Sequence, residues 1–171
     1  MNVEYTYDSN TPLDIRDLWQ TPQEVFDFWN RVDQFTLDVA ASDHNHLVQD
    51  YLTKEDDALS LDWSESNWCN PPYSDISSWV DKAIEQVWKG NYTVMLVPSN
   101  IDTRWFSSAL DCERCRIAFY TGKRIHFIRA DTGEQIKGNP RGSMFLIFDP
   151  RYDFNNEDSD FKFSNIDGRK F

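Results

Sequence analysis

Asn67-Trp68-Cys69-Asn70-Pro71-Pro72-Tyr73-Ser74-Asp75-Ile76 runs from a short apolar strand pattern, through a double proline, into an amphipathic helix pattern. Strand, loop and helix in that order form the repeating unit of an open α/β sheet, where ligands bind outside the carboxyl ends of the strands. Two successive prolines fix φ and remove two backbone donors, so the carbonyls of the loop are held stiffly and lack ladder partners. An asparagine, a rigid carbonyl and an aromatic face together suit a planar ring that carries an amine. A plain structural turn is the competing reading of Asn70-Pro71-Pro72-Tyr73 taken alone.

Moving outward, Ser74 and Asp75 are candidate caps for a helix whose apolar stripe is Ile76, Trp79, Val80, Ala83, Ile84, Val87 and Trp88, with Gly90 as its stop. Tyr92 to Val97 is a nearly continuous apolar run, the pattern of a strand buried on both faces. Asp102 or Thr103 opens a short helix with Trp105, Phe106, Ala109 and Leu110 inward. Upstream, Thr21-Pro22 followed by Glu24 predicts a capping box and a helix over 22–32, with Val25, Phe26, Trp29 and Val32 on one face. Phe35 to Val39 alternates as a strand, and from Asp43 to Asp62 only short strands fit. Downstream, Arg116–Tyr120 and Ile125–Arg129 read as strands around Gly122. Asp131-Thr132-Gly133 is a turn with Gln135-Ile136 returning, and Ser143–Phe148 is a last apolar strand. The order predicts a compact α/β fold in three layers. Residues 1–18 read as an N-terminal arm, 19–150 as one domain, and 151–171 as a loosely packed C-terminal tail.

A chain of 171 residues with 40% hydrophobic and 15% aromatic residues suits one globular domain rather than a disordered segment. No apolar run approaches the ~20 residues that span a bilayer, and residues 1–10 resemble neither a secretory signal nor a transit peptide. The expectation is a soluble, cytoplasmic protein. Three cysteines make no disulfide framework. Cys112-x-x-Cys115 has no matching ligand pair among His44, His46 and His126, so no metal is expected. The net charge is −12, but residues 111–150 carry more bases than acids: Arg114, Arg116, Lys123, Arg124, Arg129, Lys137 and Arg141. This segment is the candidate face for a polyanion, while the global charge argues against tight non-specific DNA binding.

Five stretches in order resemble the S-adenosylmethionine-dependent DNA N6-adenine methyltransferases of the small phage, Dam-like group. They are Trp19-Gln20-Thr21-Pro22, Leu37-Asp38-Val39-Ala40-Ala41, Asp56-Asp57-Ala58-Leu59, Asn70-Pro71-Pro72-Tyr73 and Gly122-Lys123-Arg124-Ile125-His126-Phe127. The resemblance covers roughly residues 19–149. It implies a Rossmann-like class I methyltransferase fold: one compact domain, a mixed, mostly parallel sheet with helices on both faces, seven strands and the last antiparallel. It also implies S-adenosyl-L-methionine as cofactor and double-stranded DNA as substrate, with methyl transfer to adenine N6 after base flipping.

Residue by residue, the resemblance makes Asn70, Pro71, Pro72 and Tyr73 catalytic. The Asn70 oxygen and the Pro71 carbonyl accept the two amine hydrogens, and Tyr73 stacks on the base. Gln20, Thr21, Pro22, Asp38, Ala40, Asp57 and Leu59 would bind the cofactor. Among these, Asp38 takes the ammonium or a ribose hydroxyl, Asp57 the adenine amine with Leu59 against the ring, and Thr21 the carboxylate near a helix N-terminus. Ala40 and Ala41 depart from versions of the motif that carry glycine. Lys123, Arg124 and Phe127 would meet the target strand. Methylation of an RNA base or of protein glutamine is the alternative chemistry for the same loop. A non-catalytic acidic DNA mimic is the alternative of a different class.

Overall fold

The computed structural model describes residues 17–136, 139–153 and 162–171. Its helices fall close to where apolar periodicity puts them: α1 spans Gln23–Asp33, α2 Ile76–Trp88 and α3 Arg104–Asp111. The Asp75 carboxylate caps α2, accepting from the Ser78 hydroxyl at 2.9 Å and more weakly from its N–H at 3.4 Å. The Thr103 hydroxyl accepts from the Phe106 N–H at the start of α3. At α1 the expected capping box does not form. Pro22 is itself the N-cap, and its carbonyl accepts from the Val25 and Phe26 N–H groups while the Thr21 hydroxyl stays unbonded. Three residues of the predicted stripes face outward, Val32 at the end of α1 (81% exposed), Trp88 at the end of α2 (54%) and Leu110 at the end of α3 (39%). All three lie in the last turn of their helix; Arg114 covers the Trp88 ring at 4.4 Å.

Six strands form one sheet: β1 (Leu37–Asp38), β2 (Ser66–Cys69), β3 (Tyr92–Pro98), β4 (Cys115–Thr121), β5 (Ser143–Phe148) and β6 (Phe163–Asp167). Their order is β1-β2-β3-β5-β4-β6. β1, β2 and β3 pair in parallel, β5 is antiparallel to both β3 and β4, and β6 is parallel to β4. Seven strands were expected with the last antiparallel. Among the described residues there are six, and the antiparallel one is fifth in the chain. The expectation of a loose tail after 150 is corrected for residues 162–171, since β6 pairs with β4 from Ile117↔Phe163 to Thr121↔Asp167. The segment Ile125–Arg129 is not a full strand. Ile128 alone bridges Gln20 on one side and Gln135 on the other, above a turn in which Gly133 takes φ 71°.

Alternation along the strands sorts the core into two layers, one on each side of the sheet. Met95 and Val97 of β3 and Met144, Leu146 and Phe148 of β5 face α2 and α3. Val94 and Leu96, with Phe145 and Ile147, face α1, Trp19, Ile125 and Phe127. Helices therefore cover both faces, as the apolar runs of β3 and β5 require: all their residues are buried. Among the described residues no helix is long and apolar enough to cross a membrane.

Candidate active site

Asn70 is the first residue beyond β2, at the carboxyl edge of the parallel strands. Its Nδ2 donates to the Trp19 carbonyl at 2.8 Å, which fixes the amide orientation and leaves Oδ1 as the free end. That Oδ1 is buried and has no partner. Trp19 Nε1, the Thr21 hydroxyl and the Tyr73 hydroxyl are also buried and unpartnered, so four of the seven such atoms among the described residues lie in 19–21 and 70–73. Each costs roughly 1–3 kcal/mol if left unsatisfied, so their concentration makes this the candidate site. Behind the asparagine, the Pro72 carbonyl accepts from the Asp75 N–H at 3.2 Å. The Pro71 carbonyl receives no hydrogen bond among the described residues and is a second free acceptor. Burial of the Tyr73 hydroxyl pushes its pKa up, keeping the ring neutral.

The segment before α1 is tied to this loop at two points and to Ile128 at a third. The Asp17 carboxylate accepts from the Ser74 N–H at 3.0 Å and from the Ser74 hydroxyl at 2.5 Å. The Trp19 carbonyl holds Asn70, and Gln20 exchanges backbone bonds with Ile128 at 2.8 and 3.0 Å. Trp19 stacks on Phe127 with centroids 5.7 Å apart, and Tyr73 meets Phe127 edge-on at 6.2 Å. Sequence reasoning missed Asp17 and the role of the Trp19 carbonyl. Asp17 sits in a stretch without periodicity and its partner is 57 residues away, so no local pattern carried the signal.

Asp38 closes β1, beside Trp68 of β2. Its carboxylate is almost wholly buried and accepts from the Leu47 N–H at 3.1 Å and the Ala40 N–H at 3.4 Å. Burial pushes its pKa up to about 6, against those two backbone donors and the nearby His46, which pull it down. Asp57 is exposed, with φ 51°, just past a 3-10 turn over Lys54–Asp56 that Asp56 and Thr53 cap reciprocally. Leu59 is half-buried beside it. No hydrogen bond or ion pair among the described residues joins Asp57 or Leu59 to Asp38, Thr21 or Asn70. The structure thus gathers Gln20, Thr21 and Pro22 with the Asn70 loop, sets Asp38 one strand away, and leaves Asp57 on an outer loop.

The basic segment divides between the two edges of the sheet. Arg114 and Arg116 sit at the amino end of β4, away from the loop. There Arg114 donates to the Pro150 carbonyl and Arg116 lies 3.6 Å from Asp149. Arg129 is paired with Asp131. Lys123 and Arg124 follow the carboxyl end of β4 and are exposed, Lys123 reaching the Phe171 carbonyl at 3.5 Å. Lys137 lies outside the described residues. Phe127, expected at the DNA surface, is instead fully buried. It has the same alternation parity as Ile125, which is also inward, so it supports Trp19 and Tyr73 from below.

These features define an α/β protein whose candidate site lies on the carboxyl edge of a mixed sheet, with a buried amide acceptor and a buried carboxylate on neighbouring strands. The family model for DNA N-6-adenine-methyltransferase (Dam) matches residues 8–165, and the chain belongs to that family. A DNA N-6-adenine-methyltransferase of Escherichia phage T1 is 34% identical over 155 residues, covering 81% of this chain and 65% of the relative. The chain thus spans just under two thirds of that protein's length. One of Haemophilus phage HP1 (strain HP1c1) is 36% identical over 148 residues, covering 84% of each.

Proposed function

We propose that the protein transfers a methyl group from S-adenosylmethionine to the exocyclic N6 amine of adenine in double-stranded DNA, on a Rossmann-like class I methyltransferase fold. The observation that carries this reading is the Asn70 amide. Its nitrogen is committed to the Trp19 carbonyl, so a buried, unpartnered oxygen is the only end it can offer to a substrate. An adenine amine is a weak nucleophile because its lone pair is delocalised into the ring. Asn70 Oδ1 and the Pro71 carbonyl accept its two hydrogens, favour a pyramidal nitrogen and aim the lone pair out of the ring plane. This is positioning plus electrostatic complementarity, with no tuned general base. Tyr73, neutral and braced edge-on by Phe127, offers an apolar ring to the flipped base.

The residues on the β1 side fit the cofactor. A buried carboxylate at Asp38 suits an ammonium or ribose hydroxyl, and the orphaned Thr21 hydroxyl suits a carboxylate near the start of α1. S-adenosylmethionine, when bound, supplies the electrophilic methyl group. Gln20 and Pro22 contribute by fixing Thr21, and Ala40 by keeping the backbone after β1 unobstructed. Asp57 and Leu59 are assigned to its adenine ring. Lys123 and Arg124 are assigned to the DNA.

Asn70→Ala is expected to reduce the methylation rate of duplex DNA on the order of 100-fold, as loss of one preorganised partner does in other active sites. Cofactor affinity by calorimetry should stay within about twofold, because the asparagine contacts the acceptor only. Asn70→Asp is expected to fail as well. A carboxylate cannot donate to the Trp19 carbonyl and would be repelled by it. With radiolabelled cofactor, a wild-type rate in Asn70→Ala, or label in RNA or protein but not in DNA, would sink the reading.

A further inference from the structure

The sheet order puts Asn70 between two flanks. On one side is β1 with Asp38; on the other are β3, β5 and β4, in that order. Ser99 follows the carboxyl end of β3, Gly142 immediately precedes the antiparallel β5, and Arg124 lies just beyond the carboxyl end of β4. All three therefore meet on the edge that carries Asn70, on the flank away from Asp38. They also converge in space: a Cβ built on Gly142 would lie 2.5 Å from Ser99 Oγ and 2.8 Å from the Arg124 guanidinium. The Ser99 N–H donates to the Gly142 carbonyl at 2.9 Å, which locks the two loops together.

Charge adds to the geometry. Arg129 and Arg169 are each paired with an aspartate, and Arg116 and Arg151 share Asp149. Among the described residues Arg124 has no acidic partner, the Ser99 hydroxyl makes no hydrogen bond, and the exposed Arg141 beside Gly142 is likewise unpaired. Arg31, Arg104 and Arg114 also lack an acidic partner among the described residues, so what sets this place apart is the convergence of an unpaired arginine and a free hydroxyl on one glycine. A planar cation and a spare hydroxyl over a glycine floor are the groups that bind a phosphodiester oxygen.

We propose that Ser99, Gly142 and Arg124 form a cradle for a backbone phosphate of the DNA strand that carries the target adenine. The proposal rests on the methyltransferase reading, since it takes duplex DNA as the acceptor. Phosphate contact here positions the strand and carries no sequence information. Glycine at 142 lets the serine hydroxyl and the guanidinium approach together, and a side chain there would displace one or both.

The test is binding of a fluorescent duplex by anisotropy across a salt series, alongside calorimetry with S-adenosylmethionine. Arg124→Ala is expected to weaken duplex binding on the order of tenfold and to lower the slope of log affinity against log salt by about 1. Arg124→Lys should keep the slope, and Gly142→Ala should reproduce the loss. Cofactor affinity should not change in any variant. If wild type binds the duplex and Arg124→Ala binds it with the same affinity and slope, the cradle is overturned and the methyltransferase reading stands. If Arg124→Ala instead loses cofactor affinity, the group holds the cofactor carboxylate and the proposal fails. If wild type binds no duplex, the DNA reading falls and takes the cradle with it.

Discussion

Asp38 shows how burial turns an ordinary acid into a titrating one. With its pKa pushed up to about 6, mainly by desolvation, the folded protein holds a proton that an unfolded chain has released above about pH 4. The sign follows: between about pH 4 and 6 the folded state binds more protons, so stability of the free protein falls as pH rises through this window. If Asp38 holds the cofactor as proposed, cofactor binding has the opposite dependence, because the ionised carboxylate accepts from an ammonium or a ribose hydroxyl more strongly than the neutral acid does. Cofactor affinity is therefore expected to drop about tenfold from pH 7 to pH 5, following the ionised fraction of a group with pKa near 6. Calorimetry at fixed ionic strength checks this. Asp38→Asn should bind weakly and without that slope, and a slope that survives the substitution would assign it to another group. Asp38 was legible in the sequence because it closes a strand pattern before two alanines. Its burial was not, since the Leu47 N–H that helps to hold it comes from a stretch with no clear periodicity.

At the scale of elements, the short segment 17–21 binds the Asn70 loop to the rest of the molecule. The loop itself was readable because prolines, helix caps and apolar stripes are local signals. The clasp was not, because its bonds join residues 51 and 57 positions apart. Thr21 shows the cost of local reasoning. Its position before Pro22 suggested a helix cap, yet Pro22 serves as the N-cap and the hydroxyl is left buried without a partner. If the clasp positions the asparagine, Asp17→Ala frees Ser74 and lets the loop shift. A displacement of a fraction of an ångström is enough to lower the rate on the order of tenfold. Single-turnover methylation should show that loss, with cofactor affinity within about twofold. Asp17→Asn should restore part of the rate, because its amide oxygen still accepts from the Ser74 N–H. Equal rates for Asp17→Ala and wild type, or no advantage of Asn over Ala, would show that the clasp does not act on catalysis.

For the whole molecule, the C-terminal segment is the part sequence misread most, and the reason is chemical. Phe163–Asp167 carries mostly polar residues, and its first three are exposed, so an edge strand looked like solvent-facing chain. Its anchoring lies at either end. Lys162 is buried and donates to the Cys112 carbonyl at 2.6 Å, while Phe171 stacks on Tyr120 at 6.0 Å and meets Phe28 of α1 at 5.1 Å. Between them Gly168 lies directly on the Tyr120 ring, where an added Cβ would sit 2.5 Å from the hydroxyl oxygen. Asp167 and Arg169 form a two-bonded pair at 2.8 and 2.9 Å. Both of them would also meet a Cβ placed on Gly122, which takes φ 84°. The segment thus fixes the turn that leads into Lys123 and Arg124, and so supports from behind the flank proposed to face DNA. Gly168→Ala overpacks this contact and is expected to cost about 1–3 kcal/mol, lowering the thermal midpoint by several degrees in a chain of this size. Thermal unfolding checks the stability, and the same variant should bind duplex DNA more weakly than wild type while binding cofactor normally. A midpoint within about 1 °C of wild type would mean that the segment is not part of the cooperative fold. A shifted midpoint with unchanged duplex binding would mean that it stabilises the sheet without steering the loop.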